Sequence, residues 1–136
     1  MLASTRERVR NNTPQEINER IAFETARNVA YYSTLDEEAV KRRLEELDHE
    51  WDVDRMIEAH SAGLAIGGFL LGAVVNRKWF VLPGLAGAFL MQYAMEGWCP
   101  QLPILRRLGF RTAEEIAAER CALVEACEQQ QPSKPK

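Results

Sequence analysis

Cys99 is the most reactive side-chain type in the most distinctive position of this 136-residue chain: it sits between Trp98 and Pro100, where a long apolar stretch ends. If the flanking stretches form an antiparallel hairpin centred near Arg77, pairing residues by depth puts Cys99 beside Arg55 and Glu96 beside Glu58. Arg55, Glu58, His60, Gln92, Glu96 and Cys99 then form one polar belt. A neighbouring guanidinium lowers a thiol pKa, whereas Glu96 and an apolar setting raise it, so the sequence leaves the sign open. Read plainly, Cys99 is a structural thiol buried at a helix end. The functional alternative is a thiol that accepts sulfur, nitric oxide or an oxidising equivalent, with Arg55 or His60 tuning it. His60 shares a helical stripe with Met56, Gly63 and Gly67, which favours an interhelical hydrogen bond to Gln92 or Ser61 over a metal or proton-relay role.

Other candidate chemistry is thinner. Glu46 and His49 have di-iron spacing, but such a centre needs a second Glu-x-x-His and two further glutamates, and the chain has no second motif. Cys121 and Cys127 are about 240° apart around a helix, so they read as packing residues and not as one metal site. Three cysteines form no disulfide framework. With no phosphate loop, nucleophile elbow or zinc quartet, neither a metal nor a cofactor is expected, and no catalytic role is read. A net charge of −3 with a pI near 5.5 argues against a nucleic-acid partner.

The elements that must position these residues follow from how charge is distributed. Overall, 46% apolar and 27% charged residues look ordinary, yet across 59–95 the only charged side chains are Arg77 and Lys78. Stretches 57–75 and 79–98 would each be about 28–30 Å long as helices, enough to cross a hydrocarbon core of about 30 Å. Their short connection, Asn76-Arg77-Lys78, makes them antiparallel neighbours with both outer ends on one side. Lys41, Arg42, Arg43, Arg55, Arg106, Arg107 and Arg111 lie toward the termini, against Arg77 and Lys78 at the loop, which places both termini in the cytoplasm. Trp51, Trp79 and Trp98 take interface positions. Gly63, Gly67, Gly68 and Gly72, facing Gly84, Gly87 and Ala88, predict a close-packed seam within the hairpin or between protomers. The competing reading is a soluble helical bundle with the hairpin as its core, but the polar arms are too short to cover two such helices.

Those arms also read as helices. Residues 1–12 form a polar head, expected to be flexible and retained, since no apolar secretory stretch follows it. Residues 13–54 are a cytoplasmic or interfacial arm with capping-box patterns at Thr13-Pro-Gln-Glu16 and Thr34-Leu-Asp-Glu37. Val40, Leu44, Leu47 and Trp51 make a stripe that must bury against the preceding helix, a partner chain or lipid headgroups. The hairpin occupies 55–98. In the tail, 99–128, a short helix ends at Gly109 and a third box begins at Thr112-Ala-Glu-Glu115; residues 129–136 are expected to be disordered.

Arg55-Met-Ile-Glu-Ala-His-Ser-Ala-Gly63, Gly67-Gly68, Gly72, Trp79, Gly84-Leu-Ala-Gly87, Gln92, Gly97-Trp-Cys99-Pro100 and Leu105-Arg-Arg-Leu-Gly109 together resemble the YgaP-like inner-membrane transmembrane domain family of bacteria. Arm segments Asn28-Val-Ala-Tyr-Tyr32 and Glu50-Trp-Asp-Val-Asp-Arg55 are similar to extensions of its small members. The resemblance implies a two-span helical hairpin that self-associates in a bacterial inner membrane. Some members carry a rhodanese domain that moves sulfane sulfur, for which this chain has no room. The expectation is therefore an all-α protein with cytoplasmic termini and amphipathic helices on either side of a two-span hairpin. Its role is a noncatalytic assembly, anchoring or docking module, a homo-oligomer in the lipid bilayer. The alternative is a sulfur or redox relay through Cys99 to a separate cytoplasmic protein.

Overall fold

The computed structural model describes residues 7–130, and among them it is all-helical. Helices α1 (Arg8–Asn11), α2 (Gln15–Tyr32) and α3 (Glu37–His49) precede α4 (Val53–Val74), and a 3-10 turn (Arg77–Phe80) leads into α5 (Val81–Glu96), α6 (Leu102–Arg107) and α7 (Ala113–Gln130). Residues 1–6 and 131–136, parts of the expected flexible head and disordered tail, lie outside the described residues. Within the described part of those segments, α1 falls in the head and buries Val9, and α7 runs through Gln129.

Helices α4 and α5 pack as an antiparallel hairpin. Asp52 starts α4, its carboxylate accepting the Arg55 amide at 2.7 Å. The second helix is shorter than the 79–98 expected. Pro83 cannot donate to the carbonyl four residues back and its ring crowds that position, so the chain enters α5 through a 3-10 turn. It leaves at Gly97, whose left-handed φ of 73° lets its amide return to the Tyr93 carbonyl at 2.8 Å. A 3-10 turn rises about 2.0 Å per residue against about 1.5 Å in an α-helix, so the register slips from the one expected. Phe80 meets Gly72, Leu82 and Pro83 meet Gly68, and the Tyr93 hydroxyl donates to Asp54.

The polar helices make a second unit in which α7 packs on both α2 and α3. The stripe on α3 behaves as its pattern demands, but its main cover is α7 and not the preceding helix: Val40 and Leu47 share a core with Ile116 and Leu123. Trp51 leaves that stripe, remains 43% exposed and carries the Arg55 guanidinium 4.7 Å from its ring centroid. Of the three capping boxes only the last forms: the Thr112 amide donates to Glu115 Oε2 at 2.8 Å and the Glu115 amide donates to Thr112 Oγ1 at 3.2 Å. Thr13 and Thr34 instead donate backward, to the carbonyls of Val9 and Tyr31, and α2 and α3 begin after Pro14 and Asp36. Gly109 ends α6 at a φ of 95°.

Candidate functional site

The structure does not assemble the expected polar belt. Cys99 is 1% exposed and shares its core with Val9, Val53, Ile57, Tyr93, Leu102 and Leu105, whereas Arg55 turns to Trp51. Burial pushes the Cys99 thiol pKa up, with amide hydrogen bonds from Gln101 and Leu102 opposing it only in part. A nucleophilic thiolate needs the opposite shift. In the folded protein Cys99 is therefore expected to resist alkylation at pH 8 while Cys121, which is exposed, reacts. Mass spectrometry of iodoacetamide-treated protein checks this, with Cys99 modified only after denaturant is added.

His60 and Glu58 are exposed, and His60 makes no hydrogen bond with the described residues, so neither the Gln92 nor the Ser61 bond forms. Ser61 is buried instead, on the α4 face that meets α5. The glycine seam divides in the same way. A Cβ on Gly68 would stand 2.6 Å from Leu82 Cβ and Pro83 Cδ, and one on Gly72 would stand 2.9 Å from the Phe80 ring, so these two are the seam inside the hairpin. Gly63, Gly67, Gly84 and Gly87 have nothing within 4 Å of such a Cβ, and Ala86, not Ala88, is the buried alanine of α5. His60, Gly63, Gly67 and Leu71 line an open trough on α4 that runs along the edge of the hairpin seam, where Gly68 and Leu82 close it.

The built polar site is elsewhere, where α6 and the loop after it meet α2, α3 and α7. Arg106 is wholly buried: Nη1 and Nη2 fork onto Glu115 at 2.7 and 2.9 Å, while Nε donates to Thr13, Nη2 to Asn18 and Nη1 to the Phe110 carbonyl. Arg111 grips Glu50 through Nε at 2.8 Å and Nη2 at 2.5 Å and also donates to Glu119, itself wholly buried. Arg43 closes on Glu119 from α3 at 2.9 Å. Burial disfavours the charge of Arg111, but the hydrogen bonds and charges of Glu50 and Glu119 outweigh it and hold its pKa above the ordinary value. Burial likewise opposes the charge of Glu115, yet Arg106 and Thr112 hold its pKa below the ordinary 4.5. This network can fix one arrangement of helices; it presents no nucleophile and no open pair of carboxylates. The sequence carried a partial signal for it, the Thr112-to-Glu115 box, but nothing local joins Arg106 to Asn18 or Arg111 to Glu50.

A depressed carboxylate pKa makes stability depend on pH with a definite sign. The contribution of Glu115 is fully present above its unfolded value and is lost as pH falls through the folded one. The stability difference between the protein and Glu115→Gln is therefore expected to be constant near neutrality and to shrink below about pH 4.5. Urea unfolding at a series of pH values reads it; a difference that grows on acidification would contradict the assignment.

A third feature lies between α2 and α7, where Ala22, Ala26, Ala118 and Ala122 floor an open groove of about 490 Å³ with Arg10 and Glu115 among its polar residues. Among the described residues no group of three or more His, Cys, Asp or Glu side chains could hold a metal, and Glu46 and His49 are both exposed. By length and composition one helix, within Glu37–Val74, could cross a membrane, and only 22% of its most apolar window is buried. Compared with models of protein families, with curated proteins and with solved structures, the chain matches none.

Proposed function

We propose that this chain is a noncatalytic membrane anchor and assembly module: a two-span hairpin in a bacterial inner membrane, carrying a rigid helical unit on the cytoplasmic side. The observation that carries the reading is the apolar surface left open on both hairpin helices, with Ile66, Phe69, Leu70 and Val74 of α4 and Val81, Leu85 and Met91 of α5 all exposed. A soluble protein does not leave such a belt in water. Length supports it too. The 22 residues of α4 extend about 33 Å, and the 16 residues of α5 with the four-residue 3-10 turn extend about 32 Å, each matching a core of about 30 Å. The bacterial inner membrane is the setting implied by the YgaP-like resemblance.

Self-association uses the glycines that the hairpin itself leaves open, Gly63 and Gly67, and the groove between α2 and α7 supports a docking role for the cytoplasmic unit. Gly67→Leu is expected to shift the oligomer to monomer in lipid nanodiscs without unfolding the hairpin, as read by mass photometry and circular dichroism. An unchanged oligomer would remove this face from the account. The membrane assignment is tested separately: the chain should stay in the membrane pellet after alkaline carbonate extraction, and release into the supernatant would refute it.

A further inference from the structure

Short helix α6 follows five residues after α5 and lies back against the start of α4, since its Leu102 and Leu105 share a core with Val53 and Ile57. That contact fixes its depth at the end of the hairpin, level with Trp51 and Trp98. Its other face is apolar and uncovered, with Ile104 62% and Leu108 70% exposed. Leu108 lines the same hollow as Trp51, and Arg55 lies over Trp51. Arg107 is exposed between the two apolar residues, and Arg20 donates to the Arg107 carbonyl at 2.9 Å, so guanidinium groups rim the patch. Glu50, the acid in the hollow, is already neutralised by Arg111. The rim of the patch carries arginines.

Resting on the membrane reading above, we infer that α6 is an in-plane foot of the protein: Ile104 and Leu108 insert beside Trp51 and Trp98 at the headgroup boundary, and Arg107, Arg55 and Arg20 engage anionic phospholipid headgroups. Leu102 and Leu105 point inward, and Arg106 is pinned to Glu115, so the foot is rigidly tied to the cytoplasmic unit and sets its tilt on the bilayer. Spin labels test this in the full chain with Cys121 and Cys127 replaced by alanine, reconstituted in phosphatidylcholine vesicles with and without phosphatidylglycerol. Labels on Ile104→Cys and Leu108→Cys are expected to relax more with oxygen than with an aqueous nickel chelate, and a label on Arg107→Cys the reverse. The excess at position 108 should fall when phosphatidylglycerol is omitted or when Arg55 and Arg20 are replaced by glutamine. A label on Leu70→Cys serves as the reference within α4. If that label is in lipid while those at 104 and 108 meet the nickel chelate freely, or meet neither reagent because protein covers them, the foot is wrong and the anchor stands. If the label at position 70 itself meets the chelate, both fall.

Discussion

Replacing Arg106 by alanine is expected to lower the unfolding free energy by about 3–5 kcal/mol, the largest effect of any single substitution in the polar unit. The magnitude follows from what is left behind. Glu115 loses both arms of its fork, half-buried Asn18 loses a donor, and so does Thr13, which is buried. Arg106→Lys should recover only part of the loss, because an ammonium cannot fork onto the carboxylate while also reaching Asn18 and the Phe110 carbonyl. Urea unfolding in detergent micelles, followed by far-ultraviolet circular dichroism, measures both variants. A loss below about 1 kcal/mol would place the pair among solvent-screened surface bridges and contradict the burial.

Gly68→Leu should be the most damaging change in the hairpin, costing at least the 1–3 kcal/mol typical of overpacking, estimated at about 3 kcal/mol here. Its first added carbon falls within 2.6 Å of Leu82 Cβ and Pro83 Cδ, and neither can swing away, one being fixed to the backbone and the other part of a ring. The helices must separate. A Cβ on Gly67, one residue earlier, would meet nothing within 4 Å, so Gly67→Leu should leave the hairpin intact while breaking the contacts we propose between copies. Unfolding by sodium dodecyl sulfate in mixed micelles separates the two: a lower midpoint for Gly68→Leu and an unchanged one for Gly67→Leu. Equal midpoints would mean that the seam is not where the geometry has it.

Periodicity alone exposed the helices and the hairpin, because alternation of polar and apolar faces is a local property of the chain. Val40 and Leu47 were legible as a buried stripe, and Thr112 and Glu115 as a cap, for the same reason. Register along the hairpin was not, since it turned on how Pro83 drives the chain into a 3-10 turn; the pairing of Cys99 with Arg55 failed on face instead, because Cys99 packs with Val53 and Ile57 on either side of Arg55 while Arg55 turns to Trp51. Of the six seam glycines proposed from small size, Gly68 and Gly72 alone meet the returning chain closely, Gly68 at Leu82 and Pro83 and Gly72 at Phe80. Size permits close approach at every glycine, and rotation of the helix decides which are used. The role of α1 was equally hidden. Arg8 donates to the Ala94 carbonyl at 3.1 Å and lies 5.1 Å from the Tyr93 ring centroid, and Asn12 donates to the Glu96 carbonyl at 3.0 Å, so a segment that reads as a loose head caps the end of α5. The arginine network was hidden for another reason. Arg43, Arg106 and Arg111 entered the sequence argument as topology charges, a local count that cannot show which glutamates they meet in the fold.

The central claim is that both helices of the hairpin cross the bilayer and return the chain to the side it left. Its most direct test labels intact cells with a membrane-impermeant maleimide at Asn76→Cys in the connecting loop and, in the unsubstituted protein, at the exposed Cys121. The account predicts that the loop cysteine reacts from outside while Cys121 reacts only after the cells are permeabilised. A loop cysteine protected in intact cells, or a Cys121 labelled from outside, would contradict the two-span hairpin.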